Sequence, residues 1–263
     1  MTGFAELMPT AREAVDIASE LIRTRWPGRV TSKGDRDMAT EVDYEIEQRL
    51  RTLLRQRTPH IGFIGEEEGA FTGDGDLTWV LDPVDGTANF LHGIPLCGVS
   101  LGLLCQDRPV LGVVDLPLLA MRYSAVEGGG AVGPRGTLHH SAISRLSEAI
   151  VAVGDYAVGP DAAERNAQRL AITARLAATA QRVRMHGSVV VDLVWLAEGR
   201  VDAVIVLSNK PWDMTAGVII AREAGAVVLD QNGARHSASS AATIATSPEL
   251  APQIIPVLRE AVT

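Results

Sequence analysis

Apolar positions near the start of the chain recur at helical spacing. Ala11, Ala14, Val15, Ala18, Leu21 and Ile22 line one face of a helix predicted over residues 10–25. Thr10 suits its N-cap, Pro9 is tolerated just before that start, and Pro27-Gly28 stops it. A polar loop, Ser32-Lys33-Gly34-Asp35-Arg36-Asp37, follows. A second helix is predicted from about Thr40, with Val42, Ile46, Leu50, Leu53 and Leu54 as its buried stripe, and Thr58-Pro59 ends it.

From His60 the spacing gives way to short apolar runs. Ile61–Ile64 and Thr78–Leu81 read as strands that each deliver carboxylates at their C-terminal ends, and Leu96–Cys105, Val110–Leu116 and Met121–Ala125 follow as strands. Connections this short imply an antiparallel or mixed sheet. Gly128-Gly129-Gly130 reads as a turn, since no Lys-Ser/Thr follows it to make a phosphate loop. The remainder alternates: strand Ile150–Val153, helix Asp161–Ala178, strand Arg182–Met185, helix Ser188–Ala197, strand Val201–Leu207, helix Trp212–Ala224, strand Ala226–Leu229 and a last helix near Pro248–Val262. Alternation of that kind predicts an α/β arrangement. With no low-complexity linker and no repeat, residues 1–263 are expected to form one unit, an α+β part over 1–143 joined to an α/β part over 144–263.

Composition narrows the class. The 263 residues are 46% hydrophobic, and 24 basic side chains stand against 32 acidic ones for a net charge of −8. That excess argues against a sequence-independent nucleic-acid binder and against a protein drawn to anionic membranes. The N-terminus lacks a signal-peptide profile, and no apolar run approaches the ~18 residues needed to span a bilayer. Cys97 and Cys105, eight apart in one extended segment, would sit roughly 26 Å from each other, far beyond disulfide reach. A soluble, reduced, cytoplasmic protein is the expectation. Lys33 and Lys210 are the only lysines, a bias that hints at a GC-rich bacterial genome.

Three segments concentrate acid where a fold does not require it: Gly65-Glu66-Glu67-Glu68-Gly69, Asp82-Pro83-Val84-Asp85-Gly86-Thr87, and Trp212-Asp213 at a helix start. Taken singly, each has a structural explanation, because Asp-Pro and Asp-Gly are turn dipeptides and Asp213 suits an N-cap. Glu67 and Glu68 individually read as solvated surface. Together they read differently. Two carboxylates around a stiff proline repel unless a cation shares them, and hard oxygen ligands suit Mg²⁺. The amides of Gly86 and Thr87, opening a short helical turn toward Phe90, can hold phosphate oxygens. Metal ligands beside a phosphate nest point to phosphoryl transfer. A metal-activated water would serve such a site, so no Cys or Ser nucleophile is needed. The six histidines show no ligand spacing. His92, His139 and His140 read as exposed polar residues, and His186 stays undecided.

Gly65-Glu66-Glu67, Asp82-Pro83-Val84-Asp85-Gly86-Thr87-Ala88-Asn89-Phe90 and Trp212-Asp213-Met214-Thr215-Ala216-Gly217 resemble the signatures of the inositol monophosphatase family. The stretch Lys33…Asp37…Thr40…Asp43 and Gly187-Ser188 extend the likeness along nearly the whole chain. The resemblance implies a layered αβαβα sandwich, a homodimer, and Mg²⁺-dependent, lithium-sensitive hydrolysis of small phosphate monoesters. It implies Glu66, Asp82 and the Val84 carbonyl as ligands of a first Mg²⁺, and Asp82, Asp85 and Asp213 as ligands of a second. A third, weaker ion would lean on Glu66 through water. Asp43 and Thr87 resemble the pair that orients the attacking water, with Thr40 nearby and Glu66 taking part. The Gly86 and Thr87 amides would hold the phosphate beside Asp85, while Gly187, Ser188 and Asp213 would face the alcohol.

One departure bears on substrate. Inositol-cleaving members commonly carry a glutamate a few residues before Trp-Asp, and that position here is Val206. Valine cannot accept a hydrogen bond from a polyol, and the loss of a matched polar contact changes discrimination. Inositol monophosphate or a similar polyol or sugar phosphate leads the expected substrates. Histidinol phosphate, fructose 1,6-bisphosphate and 3′-phosphoadenosine 5′-phosphate are the alternatives within the enzyme class, and a catalytically weak regulatory binding protein is the alternative outside it.

Overall fold

Both N-terminal helices form in the computed structural model, which describes residues 3–34 and 37–261. Helix α1 (Met8–Thr24) begins two residues earlier than predicted, with Pro9 in its first turn, where a missing N–H costs nothing. Leu7, not Thr10, therefore occupies the cap position. The polar stretch after it is a hairpin, not a loop: β1 (Val30–Gly34) pairs antiparallel with β2 (Asp37–Thr40). Asp35, Arg36 and the Asp37 side chain lie outside the described residues. Thr40 caps α2 (Glu41–Arg57) in a reciprocal box with Asp43. In its stripe Val42, Ile46, Leu50 and Leu54 are buried, while Leu53 is only partly covered.

The next stretch builds a large mixed sheet from β3 (Gly62–Gly65), β4 (Ala70–Phe71) and β5 (Leu77–Asp85), then, after the short helix α3 (Thr87–Leu91), β6 (Gly98–Cys105), β7 (Arg108–Leu116), β8 (Met121–Val126), β9 (Ala131–Gly133) and β10 (Gly136–Thr137). Its order is β10-β9-β8-β7-β6-β5-β3-β4, with β3 and β5 parallel and the other pairs antiparallel. Strands β4, β9 and β10 are two or three residues long, too short to leave an alternating pattern in the sequence.

The rest alternates as predicted: β11 (Ile150–Val153), α4 (Ala162–Thr179), β12 (Arg182–Arg184), α5 (Val189–Ala197), β13 (Ala203–Val206), α6 (Pro211–Glu223), β14 (Val227–Leu229), β15 (Thr243–Thr246) and α7 (Ala251–Arg259). The second sheet runs β12-β11-β13-β15-β14, its first three strands parallel. Strand β15, which the apolar pattern did not reveal, inserts antiparallel between β13 and β14. Helices α1 and α2 cover one face of the large sheet, α5 and α6 fill the space between the sheets, and α4 and α7 cover the outer face of the small one. The architecture is an αβαβα sandwich.

Two glycines set how closely α6 approaches the large sheet. Gly102 and Gly112 are direct partners across β6 and β7. A Cβ on Gly102 would lie 2.4 Å from Thr215 Cγ2, and one on Gly112 would lie 2.8 Å from Ala216 Cα. On its other side α6 meets α5 at Gly217, where a Cβ would lie 2.5 Å from Leu193 Cδ1. Among the described residues no helix is long and apolar enough to cross a membrane.

Candidate active site

Residues three apart on a regular strand point to opposite faces, so Asp82 and Asp85 should diverge. They do not, because the ladder slips between them. Asp82 pairs with Ser100 and Asp85 with Gly98, so three steps along β5 match two along β6. Pro83, which has no N–H to give to a ladder, sits inside that bulge. The extra residue restores parity, and both carboxylates reach the same place. Asp213 arrives from the first turn of α6, whose cap position is Lys210, so Asp213 is not the cap. Carboxylate oxygens of Asp82, Asp85 and Asp213 lie within 4.8 Å of one another.

Burial dominates the electrostatics of this trio. It pushes Asp82 well above the usual carboxylate range, and the charges of Glu66, Asp85 and Asp213 push in the same direction. Asp213 is raised to about 8 by burial and by Asp85. Asp85 rises to about 7 through burial, opposed by hydrogen bonds from Ser188 Oγ and from the Val190 N–H at 3.0 Å. Asp82 Oδ1 is buried without a hydrogen-bond partner. A buried carboxylate oxygen left unpaired is costly. A hard divalent cation shared by three such groups removes that cost, so the donor set fits one.

The acidic turn after β3 is held from beneath. Glu47, on the buried side of α2, accepts the Glu67 N–H at 2.8 Å and the Glu68 N–H at 2.9 Å, and pairs with Arg51 at 3.1 Å. Gly65 has to lack a side chain there, since a Cβ would lie 2.2 Å from Glu47 Oε1. Lys33 reaches Glu66 and Glu67, each at 2.9 Å. Glu67 is therefore not the solvated residue expected. Its side chain is 1% exposed, and burial raises it to about 7 against the opposing pull of Lys33. Glu68 is exposed and bonds Gln48 at 3.0 Å. Glu66 stands outside the close trio but near enough to raise Asp82. Glu47 was missed by sequence reasoning; its one signal was an acid among the apolar positions Ile46, Leu50 and Leu54.

Asp43 and Thr87 meet as a pair. Asp43 Oδ2 accepts the Thr40 N–H at 3.0 Å and also the Thr40 hydroxyl, while Oδ1 lies 3.5 Å from Thr87 Oγ1. Burial raises Asp43 to about 6 in spite of the Thr40 bonds. The Thr87 hydroxyl donates to the Val84 carbonyl at 3.0 Å. Gly86 takes a left-handed φ of 83°, and a Cβ on it would meet the Leu96 carbonyl oxygen at 2.9 Å. That turn starts α3, so the Thr87 N–H has no intrahelical acceptor.

Beyond Asp85 and Asp213 a pocket of about 270 Å³ opens, walled by Gly187, Ser188, Val206, Asp155, Arg169 and Lys210 among others. The Ser188 hydroxyl is committed: it donates to Asp85 and accepts the Val191 N–H at 3.2 Å, capping α5. Its reach toward an alcohol is correspondingly limited. His186 Nδ1 lies 2.6 Å from Asp192 Oδ1, and its ring meets Trp195 edge-on, so it braces the wall from behind. His92 and His139 are exposed, whereas His140 is half-buried.

A layered αβαβα fold that gathers carboxylates from a bulged strand and a helix start, next to a free helix-turn amide, defines a metal-dependent phosphomonoesterase. The model of the inositol monophosphatase family matches residues 5–263, and the chain belongs to that family. It is 36% identical over 256 residues to the probable inositol 1-monophosphatase ImpA of Mycobacterium tuberculosis, covering 97% of this chain and 94% of that one. Identity to inositol-1-monophosphatase ImpA of Mycolicibacterium smegmatis is 33% over 254 residues, covering 96% and 92%. Among solved structures, the extragenic suppressor protein suhB of Bartonella henselae superposes with a TM-score of 0.91 at 28% identity, over 97% of this chain and 99% of that one. The Thermotoga maritima IMPase gives 0.88 at 28% identity, over 98% of each chain. The protein is a phosphoric monoester hydrolase of this metal-dependent family.

Proposed function

We propose that the enzyme is a Mg²⁺-dependent, lithium-sensitive hydrolase of a small polyol or sugar phosphate, with inositol monophosphate as its leading substrate. The observation that carries the metal is the unpartnered Asp82 Oδ1 inside a trio of acids of which Asp82 and Asp85 are buried and Asp213 half-buried. Glu66, Asp82 and the Val84 carbonyl would hold one ion, Asp82, Asp85 and Asp213 a second, and Glu66 a weaker third. When bound, Mg²⁺ neutralises phosphate oxygens and makes a water acidic enough to attack. The leading substrate follows the names of the bacterial relatives.

The chain's own groups divide the remaining work. The amides of Gly86 and Thr87 are assigned to the phosphate oxygens, beside Asp85. The Thr87 hydroxyl, set between Val84 and Asp43, is assigned the orientation of the attacking water. Asp43, whose burial raises its affinity for a proton, is suited to draw on one passed along that hydroxyl. Gly187, Ser188 and Asp213 wall the alcohol side. The reading includes a cytoplasmic homodimer that engages neither nucleic acid nor membrane, as the net charge of −8 favours.

The test is phosphate release from inositol 1-phosphate with Mg²⁺, with and without Li⁺, for the wild type and Asp85→Asn. Mg²⁺-dependent release that Li⁺ inhibits and the substitution abolishes is the expected result. No release from this or any other monoester would overturn the reading.

A further inference from the structure

Helix α6 presents Asp213 in its first turn and Arg222 in its last, about 13 Å further along the axis. Around Arg222 a cavity of about 400 Å³ opens, walled by Cys105, Arg108 and Pro109 from the β6–β7 connection and by Arg235, His236 and Ser237 from the segment between β14 and β15. Its charges do not balance. Arg108 is paired with Glu127. Arg222 is half-buried and Arg235 exposed, and among the described residues neither has a carboxylate within 4.0 Å. Burial, and then the nearby charge of Arg235, disfavour the charge on Arg222. Asp107 is the one acid in this wall, exposed on the turn with no basic group within 4.0 Å.

The remaining polar groups are already committed or neutral. Arg222 Nη2 donates to the His236 carbonyl at 2.8 Å, which fixes the guanidinium at the wall and leaves its other donors for a ligand. Asp230, the acid nearest His236, accepts the Asn232 and Ala234 N–H groups at 2.8 and 2.9 Å. The amide nitrogen of Asn209 donates to the carbonyls of Ser237, Ala238 and Ser240, so its Oδ1 has to accept, and His236 Nε2, 2.9 Å away, carries the ring proton. Burial and Arg222 lower the pKa of this ring to about 4, so it adds no charge at neutral pH. A second cavity of about 150 Å³ shares the His236 and Pro109 walls and is otherwise lined by apolar side chains such as Leu104, Met214 and Val218.

Two guanidinium groups on one cavity without a counter-charge favour an oxyanion between them, and their planar forks of donors match a phosphate. We infer that the Arg222–Arg235 cavity is a second anion site, separate from the metal ligands, that seats the phosphate group of a small ligand. The phosphate is either the free ion or one carried on an apolar body that reaches toward Leu104 and Met214. Both sources place the same dianion against the same two arginines.

Calorimetric titration of the full-length protein with inorganic phosphate and with phenylphosphonate, which has no ester bond to hydrolyse, tests the site. Each titration is run with Mg²⁺ and again after chelation. Stripped of metal, the Asp82, Asp85 and Asp213 cluster repels an anion, so binding that survives the chelator belongs elsewhere. Such binding is expected, and Arg222→Gln and Arg235→Gln should each weaken its Kd by about 10- to 100-fold, the scale of a charge-assisted hydrogen bond. Arg235 is exposed, so its variant keeps the fold even if Arg222→Gln does not. Tighter binding of phenylphosphonate supports a phosphate on an apolar body, and binding of inorganic phosphate at least as tight supports the free ion. Loss of all binding on chelation overturns the site, as does binding that both variants preserve. Neither result touches the phosphatase reading, which stands or falls on Mg²⁺-dependent release.

Discussion

Asp82 and Asp85 lie three residues apart on one strand and still direct their carboxylates into one site, because the β5–β6 ladder slips by a residue between them. Convergence of this kind stores like charge in the metal-free protein. It also fixes the sign of several measurable effects.

The first concerns acidity. Asp82, Asp85, Asp213 and Asp43 all have raised proton affinities in the folded state, led in each case by burial. Unfolded, each would titrate near about 4. Between that value and the folded ones, about 6 for Asp43 and about 8 for Asp213, the native state binds more protons than the unfolded chain. Their contribution to stability is therefore complete at low pH and is lost as pH rises through that window. We predict that the Tm of chelator-treated protein falls as pH is raised from about 5 to about 8. Saturating Mg²⁺ should reverse the trend, since deprotonated ligands bind the ion. Calorimetry at several pH values, with and without Mg²⁺, checks both arms.

Asp213→Asn separates function from folding. Removing one ligand charge should lower kcat with Mg²⁺ by about 100-fold or more, the scale of losing a transition-state contact. The same change deletes a repelling charge from the apo site, so the Tm of metal-free protein should stay the same or rise. A variant with full activity would mean that α6 supplies no ligand.

Thr87 offers a paired substitution. Thr87→Val keeps the shape and removes the hydroxyl between Asp43 and Val84. The expected loss in kcat is about 10²- to 10⁴-fold, the range for a group that handles the reacting proton. Thr87→Ser should recover most of it. Equal losses in the two variants would mean that the methyl group matters and the hydroxyl does not.

Gly65→Ala tests the support of the acidic turn. The new Cβ would fall on the Glu47 carboxylate, which holds the Glu67 and Glu68 amides. Overpacking of this sort costs about 1–3 kcal/mol. A lower Tm should accompany weaker Mg²⁺ affinity, read by titration calorimetry. A lower Tm at unchanged affinity would show that the turn does not position Glu66.

How much of this was legible in the residues depends on the range of the interaction. The alternation of β11, α4, β12, α5 and β13 is local, and it was readable from spacing alone. Strand β15 was not, because Thr243-Ile244-Ala245-Thr246 is a strand only by virtue of the two it inserts between. The motif around Pro83 announced a bend that brings two acids together, though not the ladder slip that does it. Glu67 was misjudged because the partner that buries it, Lys33, lies on a hairpin 34 residues away that the polar sequence made look like a loop. Arg169 carries no signal at all: it is one arginine of a polar helix until β13 ends against it.

The Gly102–Gly112 pair sets one more limit. Two carboxylates of the close trio belong to β5 and the third to α6, so their mutual distance is the spacing between a sheet and a helix. At Gly112 the sheet backbone meets the Ala216 backbone, and at Gly102 it meets the Thr215 side chain. The three carboxylates are thus the jaws of a calliper whose opening the two glycines set: a side chain at either would part helix from sheet, and Asp213 from Asp82 and Asp85 with it.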